Sequence, residues 1–597
     1  MKTKNKKKRI APAFKSFYPV LIMILCLFMG VGYAAVNSVN LTIAGDIVAM
    51  ELDDVVVTDI SYKESSYATL DSSSVSVVSK TVLNSNIVLS STNSNSYITY
   101  TVTVLNTNNY DCFYNGAIFD SEFYDNKNIV FELSDNMIEG MFLKAGETLS
   151  FDIKFKYKDG VTASSSINKL NSYINVNFPA VAILQVTNSG DTNGFRTYKE
   201  SIKNISFEDK IKEPSNVVDS WDIGVSQTGN VMAYLVTNSS DSNYYDLYIQ
   251  SDTKLYANED MGSWFHGLKN VDAINGLSLM DTSNTTDMHN MFYETGYNSE
   301  VFTLDVSNFD TSNVTNMSYM FFSTGYKTQE FTLDVSNFDT SNVRDFSYTF
   351  SKTGYSSSDF TLDVSNFDTS NAVSMLGMFS LSGYSSTVFE LDVSGFNTSN
   401  VTNMATMFHC AGYNSTVFTL DVSNFDTSNV TNMGSMFKDT GYNSTVLQLD
   451  VSGFDTSNVT SMNYMFDNTG YNSTVLQLDV SKFNTSKVTS MVSMFSNTGY
   501  TNPNFTLDVS KFDTSNVTRM ENMFSNTGYN STKLNTTITI RKVITNPRYY
   551  SNIFNGVATK EGSKITVNYT SETSDLVDLM VATKIDGANV VKGVQVD

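Results

Sequence analysis

Cysteine is nearly missing from this chain. Its three residues, Cys26, Cys112 and Cys410, are too few and too scattered for a disulfide framework. An exported protein of this size without such a framework fits a bacterial surface better than an animal secretory pathway. Charged side chains are scarce too, at 17% against about 25% in ordinary domains, and Ser, Thr and Asn carry the polar share instead. Lys and Arg are thin beyond the first sixteen residues and the formal net charge is −23, which argues against nucleic-acid partners. Histidine is confined to His266, His289 and His409. There is no G-x-S-x-G, H-E-x-x-H or C-x-x-C, and no phosphate-binding glycine loop. His409 and Cys410 are sequence neighbours, which on a helix point about 100° apart, a poor nucleophile–base pair. We therefore expect no enzyme and no cofactor.

Long apolar runs are missing with one exception. A basic start, KTKNKKKRI, is followed by the apolar stretch Val20–Val31 and then GYAAV, the order of a signal peptide cleaved after Ala34. The stretch falls short of the ~20 residues that span a bilayer. Counting from Phe17 to Val36 nearly reaches that length, so a cleaved signal and a retained N-terminal anchor both stay open. Membrane contact is expected through this segment alone. VVKGVQVD at the other end has neither an apolar tail nor a sorting pattern, so attachment is expected to be N-terminal or non-covalent.

What is present falls into blocks. After the signal or anchor, 1–34, residues 35–180 read as short strands. In SYITYTVTVLN, Ile98, Tyr100, Val102 and Val104 alternate with threonines, and GETLSFDIKFKY and NSYINVNF repeat the pattern. This predicts an all-β sandwich of immunoglobulin-like type, though without the Cys…Trp…Cys framework of true immunoglobulin domains. Residues 181–196 read as a linker, and 197–270, holding both tryptophans, as the atypical first unit that a repeat stack needs.

From 271 to 534 the chain repeats itself every 29 residues. LDVSNFDTSNVTNMSYMFFSTGY begins at Leu304, and its LD pair recurs at Leu333, Leu362, Leu391, Leu420, Leu449, Leu478 and Leu507. Such self-similarity is the mark of a solenoid. Within one unit Phe302, Leu304 and Val306 alternate with Thr303, Asp305 and Ser307, which predicts a short strand with one dry face. Phe309 is expected to point inward. Ser312 or Asn313 is expected to cap a short helix carrying Val314, Met317, Met320 and Phe321, and Gly325 to end it in a left-handed conformation. The methionine column (Met317, Met375, Met404, Met433, Met462, Met491, Met520) reads as core. Residues 535–597 read as the closing cap. The expected fold is mixed: a β-sandwich, then a capped α/β solenoid whose short strands form a parallel sheet.

Asp305, Asp334, Asp363, Asp392, Asp421, Asp450, Asp479 and Asp508 fall on the outward face of successive strands. Like charges side by side cost stability. Each acid is either held by hydrogen bonds in its own coil, part of a ligand-contacting strip, or part of a weak calcium row. The last lacks the glycine-rich nonapeptide of calcium-binding β-rolls. The adjoining outward position varies, with Glu390 and Gln448 among its occupants, and the candidate contact set is this acid row with Glu390 and Gln448.

NFDTSNVTNMxxMF in register resembles the repeat of the BspA-family leucine-rich repeat surface proteins, also met in Mycoplasma and Firmicutes surface proteins. The likeness spans about 195–597. The unit here is longer, with GYNSTVFT carrying the extra residues, and two copies replace the acid at Asp310 by Asn397 and Asn484. The resemblance implies a secreted or cell-surface protein whose repeats bind or adhere, the partner being a host or neighbouring-cell protein or glycan. The rival reading is a coat or matrix protein that associates with itself.

Overall fold

In the computed structural model the chain divides into two units, Met1–Ala182 and Ile183–Asp597. The structure describes residues 38–43, 55–64, 68–70, 87–89, 97–108, 110–114, 117–119, 129–138, 141–157, 172–177, 181–187, 190, 194–585 and 589–596. The expected signal Val20–Val31 and the cleavage position Ala34 lie outside them.

The first unit holds two larger antiparallel sheets. One runs in the order Val55–Glu64, Tyr97–Asn106, Thr148–Tyr157, Ile129–Leu133, and the other in the order Ser38–Ile43, Ser172–Asn177, Ala117–Phe119. Strict alternation in Tyr97–Asn106 places Ile98, Tyr100, Val102 and Val104 in the core, against Phe151, Ile153 and Phe155 of the neighbouring strand. The series ends at Asn106, fully buried, whose amide donates to the carbonyls of Tyr110 (2.9 Å) and Leu143 (3.0 Å).

The second unit opens with a six-stranded sheet that changes character across its width. Val217–Asp222, Met232–Thr237 and Tyr245–Gln250 are antiparallel, whereas Ile202–Glu208, Ala273–Asn275 and Thr303–Leu304 continue it in parallel. The sheet thus begins as a meander and hands over to the first repeats. Part of the expected linker 181–196 belongs to this packing. Phe195 and Arg196 are buried, and Arg196 Nη1 donates to the carbonyls of Ser263 (3.2 Å) and Trp264 (3.1 Å). At the other end Asn535–Ile540, Lys564–Tyr569 and Val590–Gln595 form a parallel sheet, and the helix Ser574–Val581 buries Leu576, Val577 and Met580. Among the described residues no helix is long and apolar enough to cross a membrane.

Between these ends each 29-residue coil lies parallel on the next, residue i against i+29: Thr332 on Thr361, Val417 on Val446, Leu420 on Leu449. Identical side chains consequently stack in columns. Phe321 lies on Phe350 with ring centroids 5.7 Å apart and planes 6° from parallel, and Phe350 on Phe379 at 5.8 Å. Met317, Met375, Met404, Met433, Met462, Met491 and Met520 are all 0–1% exposed, as core residues should be. In the coil that departs from the pattern, Phe346 fills the first methionine position. Thr349 fills the second, its hydroxyl donating to the carbonyls of Met317 (3.0 Å) and Phe346 (2.9 Å).

The helix expected after Ser312 is not formed; the repeats contain no α-helix. The N–H groups of Met317, Tyr319, Phe321 and Ser323 leave their own coil and donate to the carbonyls of Asp345, Ser347, Thr349 and Ser351 at 2.8–3.0 Å. The intervening Met320, Phe322 and Thr324 donate three residues back, to Met317, Tyr319 and Phe321. Satisfying every second donor across coils requires left-handed residues at Tyr319 (φ 58°), Ser323 (φ 55°) and Gly325 (φ 59°). Gly325 is left-handed as expected, and a Cβ there would meet the Phe331 ring at 2.9 Å, but it ends no helix. Ser312 and Asn313 cap none either: Ser312 bonds Asp310, and the Asn313 amide donates to the Ser283 carbonyl of the preceding coil at 2.7 Å.

Candidate functional site: the outward strand face

Three corners of the first full coil carry the same small device. Asp305 Oδ1 accepts the N–H (3.0 Å) and hydroxyl (2.6 Å) of Ser307. Asp310 does the same for Ser312 (3.0 and 2.6 Å), and Asn316 for Ser318 (3.0 and 2.7 Å). A short polar side chain that bonds the backbone two residues on pins a turn. All eight acids of the first row, Asp305, Asp334, Asp363, Asp392, Asp421, Asp450, Asp479 and Asp508, accept the N–H of the serine two residues later at 2.9–3.0 Å. The recurring acid is thus a corner of its own coil.

The same bonds set the charge. The Ser307 hydroxyl, then its N–H, holds the Asp305 carboxyl below the usual carboxylate range, while the Asp334 charge one coil away opposes them as a lesser effect. Asp334, Asp392 and Asp479 are lowered in the same way by Ser336, Ser394 and Ser481, and Asp450 chiefly by the Ser452 N–H. In these five the hydrogen bonds of the carboxylate's own turn outweigh the charge of neighbouring acids.

All eight acids are exposed, as are Glu390, Thr419, Gln448 and Gln477 beside the central four. A third row completes the face. Val388, Val417 and Val475 are 57, 53 and 49% exposed, and Val446 between them is half-buried. Over four coils the face therefore reads, row by row, valine, then Glu390, Thr419, Gln448 and Gln477, then carboxylate. The valine row was within reach of sequence reasoning: with Phe418 and Leu420 inward, alternation sends Val417 outward beside Thr419.

Residues 259–384, 327–446, 355–477, 382–502 and 441–566 each match the family described as Mycoplasma protein of unknown function, DUF285; together they cover just over half of the chain. The chain belongs to this family. The DUF285 matches begin within the capping segment before the first full repeat and end beyond Asn535–Ile540, leaving the first unit outside them. No curated protein and no solved structure matches the chain.

A second expectation for the repeats falls with the helix. His409 and Cys410 do not diverge as helix neighbours do, because no helix forms and Cys410 is left-handed (φ 57°); their Nε2 and Sγ atoms are 3.5 Å apart. Burial, followed by the charge of Asp439, pushes the Cys410 thiol pKa up.

Proposed function

We propose that this DUF285 protein is exported by a bacterium to its surface, where the repeats, as a leucine-rich-repeat-like solenoid, bind a protein or glycan of a host or neighbouring cell without catalysis. The immunoglobulin-like sandwich is the anchor-proximal module in this reading. The observation that carries it is the outward face of coils 388–479, where an exposed valine row runs beside Glu390, Thr419, Gln448 and Gln477 and then beside Asp392, Asp421, Asp450 and Asp479. An apolar row rimmed by polar ones suits a partner. Repetition at the strand spacing, ~4.8 Å, suits one contacted at many shallow points.

The test is binding of the purified chain to protein and glycan arrays at two ionic strengths. A bound partner whose affinity falls with salt and with the triple variant Asp392→Asn/Asp421→Asn/Asp450→Asn is the expected result. A folded triple variant that binds unchanged removes the acids from the contact.

The self-associating coat has one observation of its own. Val590–Gln595 is the edge strand of the closing sheet, and its Val594 is 65% exposed. Open edges recruit further strands. Light scattering that finds large assemblies of the purified chain favours the coat; a monodisperse chain favours the foreign partner.

A further inference from the structure

We propose that the middle of the repeat stack holds one divalent transition-metal ion of the zinc class between His409 Nε2, Cys410 Sγ and Asp439 Oδ2. The first pointer is a local break in two otherwise bland columns. Reading coil by coil, the position of His409 is Ser351, Ser380, His409, Lys438, Asp467, Ser496 and Ser525. That of Cys410 runs Lys352, Leu381, Cys410, Asp439, Asn468, Asn497 and Asn526. Soft and ionisable side chains meet in three adjacent coils, with serines to either side in the first column and asparagines following in the second.

Geometry is the second pointer. Cys410 and Asp439 are both left-handed (φ 57° each) and one coil apart, so they leave the backbone in register, and His409 reaches across to both. The distances are 3.5 Å from His409 Nε2 to Cys410 Sγ and 3.7 Å from Nε2 to Asp439 Oδ2, and all three donor atoms lie within 4.8 Å of one another. Tetrahedral zinc with bonds of ~2.0–2.3 Å separates its donors by roughly 3.3–3.8 Å. Nitrogen, sulfur and carboxylate oxygen are the donor types that zinc takes.

The supporting contacts are also in place. Asn468 Nδ2 donates to Asp439 Oδ1 at 2.8 Å, fixing the carboxylate so that Oδ2 faces the histidine. Ser380 Oγ lies 3.3 Å from His409 Nδ1 and so engages the ring nitrogen that does not face the cluster. Lys438 Nζ stands 3.8 Å from Asp439 Oδ2, but its charge is claimed by Asp467 at 2.8 Å. Cys410 is buried, whereas the His409 side chain keeps 26% of its exposure, so a fourth, water ligand has a way in. A thiolate and a carboxylate together would neutralise the divalent ion.

Cobalt(II) titrated into the full, reduced chain is the probe. One equivalent should bind with the visible bands of a tetrahedral site and a near-ultraviolet sulfur-to-cobalt charge-transfer band, and zinc should displace it. Cys410→Asn and His409→Ser introduce the residue types of neighbouring coils, so they should fold, which circular dichroism checks. Cys410→Asn should abolish the charge-transfer band, and His409→Ser should weaken binding at least as much as Asn468→Ala, for which about 10–100-fold is expected. Absence of a charge-transfer band in the parent chain overturns the proposal. So does a band that survives Cys410→Asn, since the thiol would then be Cys26 or Cys112.

Discussion

Asn397 Oδ1 accepts the Ser399 N–H at 3.1 Å, the bond that Asp310 makes with Ser312 at 3.0 Å. An amide oxygen therefore serves a coil corner nearly as well as a carboxylate. Asp392→Asn/Asp421→Asn/Asp450→Asn should accordingly leave stability at neutral pH within about 0.5 kcal/mol per site, as ordinary surface changes do. Urea unfolding measures it; a larger loss would mean that the charge itself holds the corner.

Acid separates the two side chains. The carboxyls of Asp305, Asp334, Asp392 and Asp479 are lowered, first by the hydroxyl and then by the N–H of their serines. A group with a depressed native pKa stabilises fully above its unfolded value and loses that contribution as the pH falls through the native one. Melting temperature should therefore be flat down to about pH 4 on account of these rows and decline below it. Asparagine does not titrate, so the variant Asp334→Asn/Asp392→Asn/Asp479→Asn should decline less steeply than the parent chain. Equal slopes for the two proteins would show that the corners do not couple to protonation.

The core gives a local prediction. Phe425 is 3% exposed, parallel to Phe454 within 1° at 6.5 Å and tilted against Phe408 at 6.3 Å. Phe425→Ala should cost about 3–5 kcal/mol. Coils touch chiefly their neighbours, so amide exchange should rise most in the coils on either side. A uniform rise along the stack would mean that the repeats unfold as one block.

Strain at one left-handed site is removable. Leu381 sits at φ 61° in the column where Asn468, Asn497 and Asn526 sit at 56–57°. A left-handed conformation costs an ordinary L-residue roughly 1–2 kcal/mol, and asparagine less. Leu381→Asn should raise stability by about 1 kcal/mol, read as a higher denaturation midpoint with the same slope. A lower midpoint would show that packing of Leu381 outweighs its backbone.

The sequence made the period, the strand face and the inward Phe, Leu, Val and Met readable, because apolar side chains that stack on their own copies must recur in place. The wrong element, the helix after Ser312, came from Val314, Met317, Met320 and Phe321, whose spacing fits a helix as well as these linked turns. What separates the two is the destination of the Met317 and Tyr319 N–H groups in another coil, which leaves no trace in side-chain pattern. Tyr319 and Leu381 at left-handed positions gave no warning either, lacking the glycine or asparagine that usually marks them. The meeting of Cys410 with Asp439 was available by arithmetic, since they are 29 residues apart, but only once the stacking register was taken as a rule of contact.

That register has a genetic consequence. Each coil offers its predecessor the same carbonyls that its successor offers it, so excising or doubling one 29-residue unit rejoins matching surfaces, whereas any other length severs the ladder at Met317-type donors. Gene segments so alike invite unequal recombination, and the products in whole units remain foldable. Each gained or lost copy changes the stack by ~4.8 Å. Among related strains, length should thus vary in steps of one coil while both ends stay as they are.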